Sequence, residues 1–263
     1  MPFHVYTMWR RDGFFPGTVY RTLLAFADRE AADYFFRGIQ ENLPLKVNGA
    51  AQLITSAERL SPQLWNFYGS GGDNQVYDLV VNMNIGHAAV KDLSYLKELR
   101  GKILMNWLPD SGGRDMPIIS DIGLPDRIDG GTFFIRSRLE PYQYWYVEDG
   151  VVTLSRDRKS KFGISLPDSK IADAVLVHND KVRLTYTRDL TQVQLNINDN
   201  GFWIVGAGRK NSFLFGALRG GIEASTATIY GSPGDGGRSV PAPRLRWDDD
   251  QLDLSHGEVW ELV

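Results

Sequence analysis

An α+β N-terminal domain (residues 1–126) followed by an all-β domain built as a β-trefoil (residues 127–263) is the architecture this sequence implies. Three features carry that reading. Residues 158–164 (RKSKFGI) are echoed by residues 209–215 (RKNSFLF) and, more weakly, by residues 256–262 (HGEVWEL). Phe162, Phe213 and Trp260 thereby recur about every 50 residues, a period that marks an internal repeat. Short alternating runs lie ahead of each of these aromatic anchors. Before residue 126 the pattern becomes a mixture of helical and strand periodicities.

In the first repeat the alternating runs are residues 132–138, 143–147, 151–155 and 162–164. Turn chemistry separates them at Glu140-Pro141 and Glu148-Asp149-Gly150. The second repeat has residues 181–187, 192–197, 202–205 and 213–215, with Asn198-Asp199-Asn200-Gly201 as a turn. The third has residues 222–230, 244–247, 252–254 and 259–262. Alternation such as Val182-Arg183-Leu184-Thr185-Tyr186 turns one face to a core and the other to water. The Asp-Gly and Asn-Gly steps supply the positive φ that tight hairpins need. One repeat alone leaves an apolar face exposed, and closing three about an axis buries all three. The competing architecture is a β-sandwich with accidental internal similarity. Residues 174–179, with Val175, Leu176 and Val177, form an extra apolar run without counterpart in the other repeats.

In the N-terminal part, residues 4–10 and 19–26 read as strands around turn chemistry at Asp12-Gly13 and Pro16-Gly17. Asp28 caps a helix reaching Leu43, with Ala31, Phe35, Ile39 and Leu43 on one apolar face. Residues 45–54 read as a further strand. Residues 61–68 are aromatic-rich and irregular, and residues 69–72 form a glycine loop. Asp73 or Asn74 caps a short helix with Val76, Leu79, Val80 and Met83 inward. Residues 88–100 form another, with Leu93, Leu96 and Leu99 inward and Gly101 as its stop. Residues 102–108 and 116–120 read as strands. The domain boundary falls in residues 123–131, where Pro125, Asp126, Asp129, Gly130 and Gly131 break every pattern.

Composition excludes several classes. A hydrophobic share of 43% supports a real core, so wholesale disorder is not expected. A net charge of −3 argues against bulk nucleic-acid or anionic-membrane binding. The absence of cysteine removes disulfides, thiol nucleophiles and thiolate metal sites, and favours a reducing compartment. The N-terminus lacks the basic flank and apolar core of a signal peptide, and no apolar run reaches the roughly 20 residues of a membrane span. The expected location is cytoplasmic.

No motif announces catalysis. The loop at residues 69–72 lacks the lysine and Ser/Thr of a P-loop, and Asp73 would repel phosphate. His4, His87, His178 and His256 share no metal-ligand spacing, and no nucleophile elbow is present. No cofactor and no metal are expected. Binding chemistry is better represented. Tyr142, Tyr144 and Trp145, with Tyr146 beside them, are adjacent aromatics on a strand. They point to opposite faces, so some face outward and offer a flat apolar platform for the C–H face of a sugar. Asp149 and Asp199 sit in turns where they can accept hydrogen bonds from hydroxyl groups. Trp247 leads into Asp248-Asp249-Asp250, where Asp248 and Asp250 share a face if the segment is extended. The basic stretch at residues 156–161 suits sulfated sugar or phosphate, or a plain solvated turn. Residues 231–237 read as a long surface loop.

With its recurring aromatic–x–apolar anchors (Phe162-Gly163-Ile164, Phe213-Leu214-Phe215, Trp260-Glu261-Leu262), the C-terminal half resembles a β-trefoil of the ricin-B-like lectin type. None of these three anchors carries the Gln-x-Trp signature of that family. The resemblance implies glycan or glycoprotein partners held in shallow pockets, and it is associated with fungal-type defence lectins. It extends to no part of the N-terminal domain, for which homo-oligomerisation or an effector role is open. Two other functions compete: a protease inhibitor acting through a loop such as residues 232–238, and an enzyme with its site at the domain interface, fed by Asp73, His87 or the acidic run.

Overall fold

The computed structural model describes residues 2–11, 19–47, 53–70, 74–85, 94–108, 125–188, 191–216, 222–225, 244–247 and 260–263. The chain divides into two compact units, Met1–Asp126 and Arg127–Val263. The described residues are mostly β.

The N-terminal unit contains β1 (Phe3–Arg11), β2 (Val19–Phe26), α1 (Arg29–Glu41), β3 (Leu45–Lys46), β4 (Leu53–Ser61), β5 (Leu64–Ser70), α2 (Gln75–Ile85), α3 (Ser94–Lys97) and β6 (Ile103–Leu108). Its six strands form one sheet in the order β3-β4-β5-β1-β2-β6. Only β1 and β5 run parallel. α1 begins where expected, because the Asp28 carboxylate accepts a hydrogen bond from the Ala31 amide at 2.8 Å. Its Ala31, Phe35, Phe36 and Ile39 are buried. Phe35 and Phe36 pack on Trp65, and Phe36 also meets Phe67, so α1 and β5 share one aromatic core. Asn74 caps α2 by accepting from the Val76 and Tyr77 amides, and Val76, Leu79, Val80 and Met83 are buried as the spacing requires.

With six strands in one sheet the unit is more strongly β than the α+β expectation, and several of its elements differ from the sequence reading. Residues 61–68 are not irregular: most of them form β5. This strand lies inside the sheet, with Trp65 and Phe67 on one face and the nearly buried Asn66 on the other, so its alternation is masked. Gly69 and Ser70 belong to the same strand rather than to a loop. The expected strand over residues 45–54 is two strands, β3 and β4. Of the expected helix over residues 88–100, the described residues contain α3, which stops at Lys97; Leu96 and Leu99 are buried, and a turn leads on to Gly101 at φ 75°. The expected strand over residues 116–120 lies outside the described residues.

Residues 125 and 126 are tied to this unit by charge. The Arg59 guanidinium contacts Asp33 at 2.6 Å and Asp126 at 2.9 Å, while Arg29 donates to the Pro125 carbonyl at 2.7 Å. Arg59 also lies 5.6 Å from the Phe36 ring and 5.5 Å from the Trp65 ring. Burial raises the Asp126 carboxyl above its ordinary range, against the opposing pull of Arg59.

The C-terminal unit contains β7 (Thr132–Ser137), β8 (Tyr144–Glu148), β9 (Val151–Ser155), β10 (Lys161–Ser165), β11 (Lys181–Arg188), β12 (Thr191–Ile197), β13 (Trp203–Val205), β14 (Phe213–Leu214), β15 (Ile222–Ser225), β16 (Arg244–Trp247) and β17 (Trp260–Leu262). Seven of them close a ring in the order β7-β8-β9-β13-β12-β11-β10. β14 pairs with β11, β17 with β7, and β16 joins β9 to β15. The Phe134 and Val263 amides donate to each other's carbonyls at 2.8 and 2.9 Å, extending the β7–β17 pairing. The apolar run at residues 174–179 forms no named strand. Val175 bridges to Ile128, and Ala174, Val175 and Leu176 are buried. The expected strand over residues 252–254 and most of that over residues 222–230 fall outside the described residues.

The first two repeats pair in the same register. Phe133 faces Phe162 across β7 and β10, as Val182 faces Phe213 across β11 and β14. Three residues further along, Arg136 faces Tyr144, as Thr185 faces Gln194. Trp145 then faces Leu154, as Leu195 faces Val205. The inward residues of both repeats, with Trp260, share one core. The β8–β9 hairpin turns through Asp149 and Gly150 at φ 49° and 76°, a two-residue turn that needs positive φ twice.

Candidate functional site

The outer face of β7, β8 and β10 gathers aromatic rings and cations. Alternation sends Phe133, Ile135 and Trp145 inward and leaves Phe134, Arg136, Tyr144 and Tyr146 on the outside. Cross-strand register then places Lys161 opposite Phe134. The stretch entering β10 is pinned from beneath. Ser160 is buried, its amide donates to the Trp145 carbonyl at 3.0 Å, and its hydroxyl accepts from the Val147 amide at 3.1 Å. Its neighbours Lys159 and Lys161 are both exposed.

Each outward ring carries a cation. The Lys159 ammonium is 4.3 Å from the Phe134 ring centre and 5.3 Å from that of Tyr144. The Lys161 ammonium is 5.4 Å from the same Phe134 ring. The Arg158 guanidinium stacks at 4.3 Å on Tyr146, donates to its hydroxyl at 3.2 Å and reaches Glu148 at 2.7 Å. Arg136 meets Glu261 at 2.5 Å, and Arg156 meets Glu140 at 2.7 Å. Hydrogen bonding to Glu261, and then to Tyr144, holds Arg136 above its ordinary pKa; Glu148 does the same for Arg158. Solvent screens exposed pairs of this kind, so they orient side chains more than they stabilise the unit.

The expected site residues separate clearly. Tyr142 is 78% exposed and Tyr144 is half-buried, so both can meet a ligand. Trp145 is corrected: it is fully buried, with its ring against Phe162, Trp203 and Trp260, and offers no surface platform. Asp149 and Asp199 are exposed on hairpin turns. The β8–β9 turn places Asp149 at the far end of β8 from Tyr142, and Asp199 lies in the separate β12–β13 connection. The backbone of Trp247 ends β16. Asp248 and Asp250 lie outside the described residues, as do Asp73, His87 and residues 232–238. Among the described residues no group of His, Cys, Asp or Glu could hold a metal ion. No helix among them is long and apolar enough to cross a membrane.

Phe134 and the convergence of Lys159 and Lys161 on it were not read from the sequence. The basic stretch was visible, but its target ring depends on the β7–β10 register. No protein-family model matches this chain, and a search of curated proteins returns no match.

Proposed function

We propose that the C-terminal unit is a β-trefoil and that it binds glycans on the outer face of β7, β8 and β10. The duplicated register supports the trefoil. β7-β8-β9-β10 and β11-β12-β13-β14 repeat the same four-strand pairing, and β17 meets β7 where the last strand of a third repeat would close the barrel. Fold alone does not assign function, so the glycan reading rests on the surface.

The observation that carries it is the set of exposed rings on a hairpin whose inner face is locked in the core. Tyr142 and Tyr144 present apolar ring surface with a polar tip, the combination that suits the amphipathic face of a sugar. The neighbouring side chains Arg136, Lys159 and Glu261 supply donors and acceptors for hydroxyl groups.

The test is a glycan array with the full chain and with its Tyr142→Ala and Tyr144→Ala variants. Saturable binding that falls at least tenfold in the variants, with circular dichroism unchanged, is the expected result. Glycan binding unaffected by both substitutions would move the site elsewhere, and no binding by the full chain would sink the reading.

A further inference from the structure

The pairing of charges on this face is uneven. Arg136, Arg156 and Arg158 each have a carboxylate within 2.7 Å, from Glu261, Glu140 and Glu148. Lys159 and Lys161 have none among the described residues, yet both ammonium groups hang over one Phe134 ring. Buried Ser160 fixes the backbone between them, and extended geometry sends side chains two residues apart to the same side. Two unneutralised like charges held side by side repel unless an anion lies between them. Three glutamates nearby already serve arginines, so the surplus is local to the lysine pair.

The second repeat acts as an internal control. With Phe133 and Phe162 matched to Val182 and Phe213, the Phe134 position is occupied by Arg183 and the Lys161 position by Ser212. The strand pairing is kept while the ring and the second lysine are lost. Barrel geometry therefore does not require either of them.

We infer that Lys159 and Lys161 form an anion-binding subsite over Phe134, and that the glycan this face takes is acidic, bearing a sulfate or a carboxylate. This rests on the glycan reading and deepens it. One small anionic group suits the site better than a long polyanion. The cationic pair is flanked by Glu140, Glu148 and Glu261, and the chain carries a net charge of −3. The ammonium groups supply charge-assisted hydrogen bonds, while the rim of Phe134 and the ring of Tyr144 offer apolar surface to the sugar.

The experiment titrates the full chain with galactose 6-sulfate, glucuronic acid, galactose, inorganic sulfate and a short single-stranded oligonucleotide, read by ligand-observed NMR. The two acidic sugars are expected to bind at least tenfold more tightly than galactose, with affinity falling as salt rises. Lys159→Ala and Lys161→Ala each remove that advantage. Lys159→Arg and Lys161→Arg keep it, and Lys181→Ala, at an exposed lysine elsewhere on the unit, leaves it unchanged. Equal binding of galactose, or indifference to both alanine variants, overturns the acidic subsite while leaving the glycan reading intact. Inorganic sulfate binding as tightly as galactose 6-sulfate overturns the sugar component and leaves a plain anion site. An oligonucleotide that outcompetes both acidic sugars overturns the inference in favour of nucleic acid. Absence of binding by either acidic sugar overturns it outright; loss of the glycan reading itself would appear separately, as silence of the full chain across the glycan array.

Discussion

Tyr144 and Trp145 are sequence neighbours with opposite surroundings, and the difference sets opposite mutational outcomes. Trp145→Ala removes a ring that touches three other core aromatics. It is expected to destabilise the C-terminal unit by about 3–5 kcal/mol, seen as a lower urea midpoint at unchanged slope. Tyr144→Ala, on the half-exposed side, should cost much less. Gly150→Ala should cost about 1–2 kcal/mol although nothing crowds the site, because its φ of 76° penalises any Cβ. The alternation of β8 was legible but its phase was not, since Trp145, one of the candidate platform rings, faces inward with Val147 while Tyr144 and Tyr146 face outward. The contact of Lys159 and Lys161 with Phe134 was not legible either, because it depends on which strands become neighbours.

At the scale of elements, legibility followed exposure. α1 could be read because one face is solvated and its first turn has a capping aspartate; Asp28→Ala should cost about 1 kcal/mol, measured by equilibrium unfolding. β5 could not, because a strand inside the sheet has little solvated face to mark its period. The ionic cluster that holds residues 125 and 126 was only half visible. Arg29 and Asp33 have helical spacing, but Arg59 reaches Asp33 from β4. Asp126 gives this cluster a pH signature. Its carboxyl is raised above 3.8 mainly by burial. The folded state therefore binds more protons than the unfolded state between the ordinary and the raised value, so the contribution of Asp126 falls as pH rises through that window. Compared with Asp126→Asn, the wild type should lose relative stability across the window and change no further above it. Paired urea titrations over a pH series would read this, and a flat difference would refute it.

For the whole molecule, each unit has a core of its own: the Phe35–Phe36–Trp65–Phe67 cluster in one and the Trp145–Trp203–Trp260 cluster in the other. Residues 127–263 expressed alone should accordingly give a single cooperative thermal transition by calorimetry; a broad transition without cooperativity would mean that the core depends on the rest of the chain. The repeat that organises this unit was visible as recurring anchors. The ring order was not, because its closure between β9 and β13 rests on the Ile204↔Val151 pairing, which no local pattern encodes.

The pairing of β17 with β7 also imposes a timetable on synthesis. β7 leaves the ribosome well before the strand that will cover it. At 5–20 residues per second the interval between Phe134 and Val263 is roughly 6–25 s. Through that interval one edge of β7 is an open template for strand addition. The pace of translation between these two strands therefore sets how long that edge stays uncovered on the nascent chain.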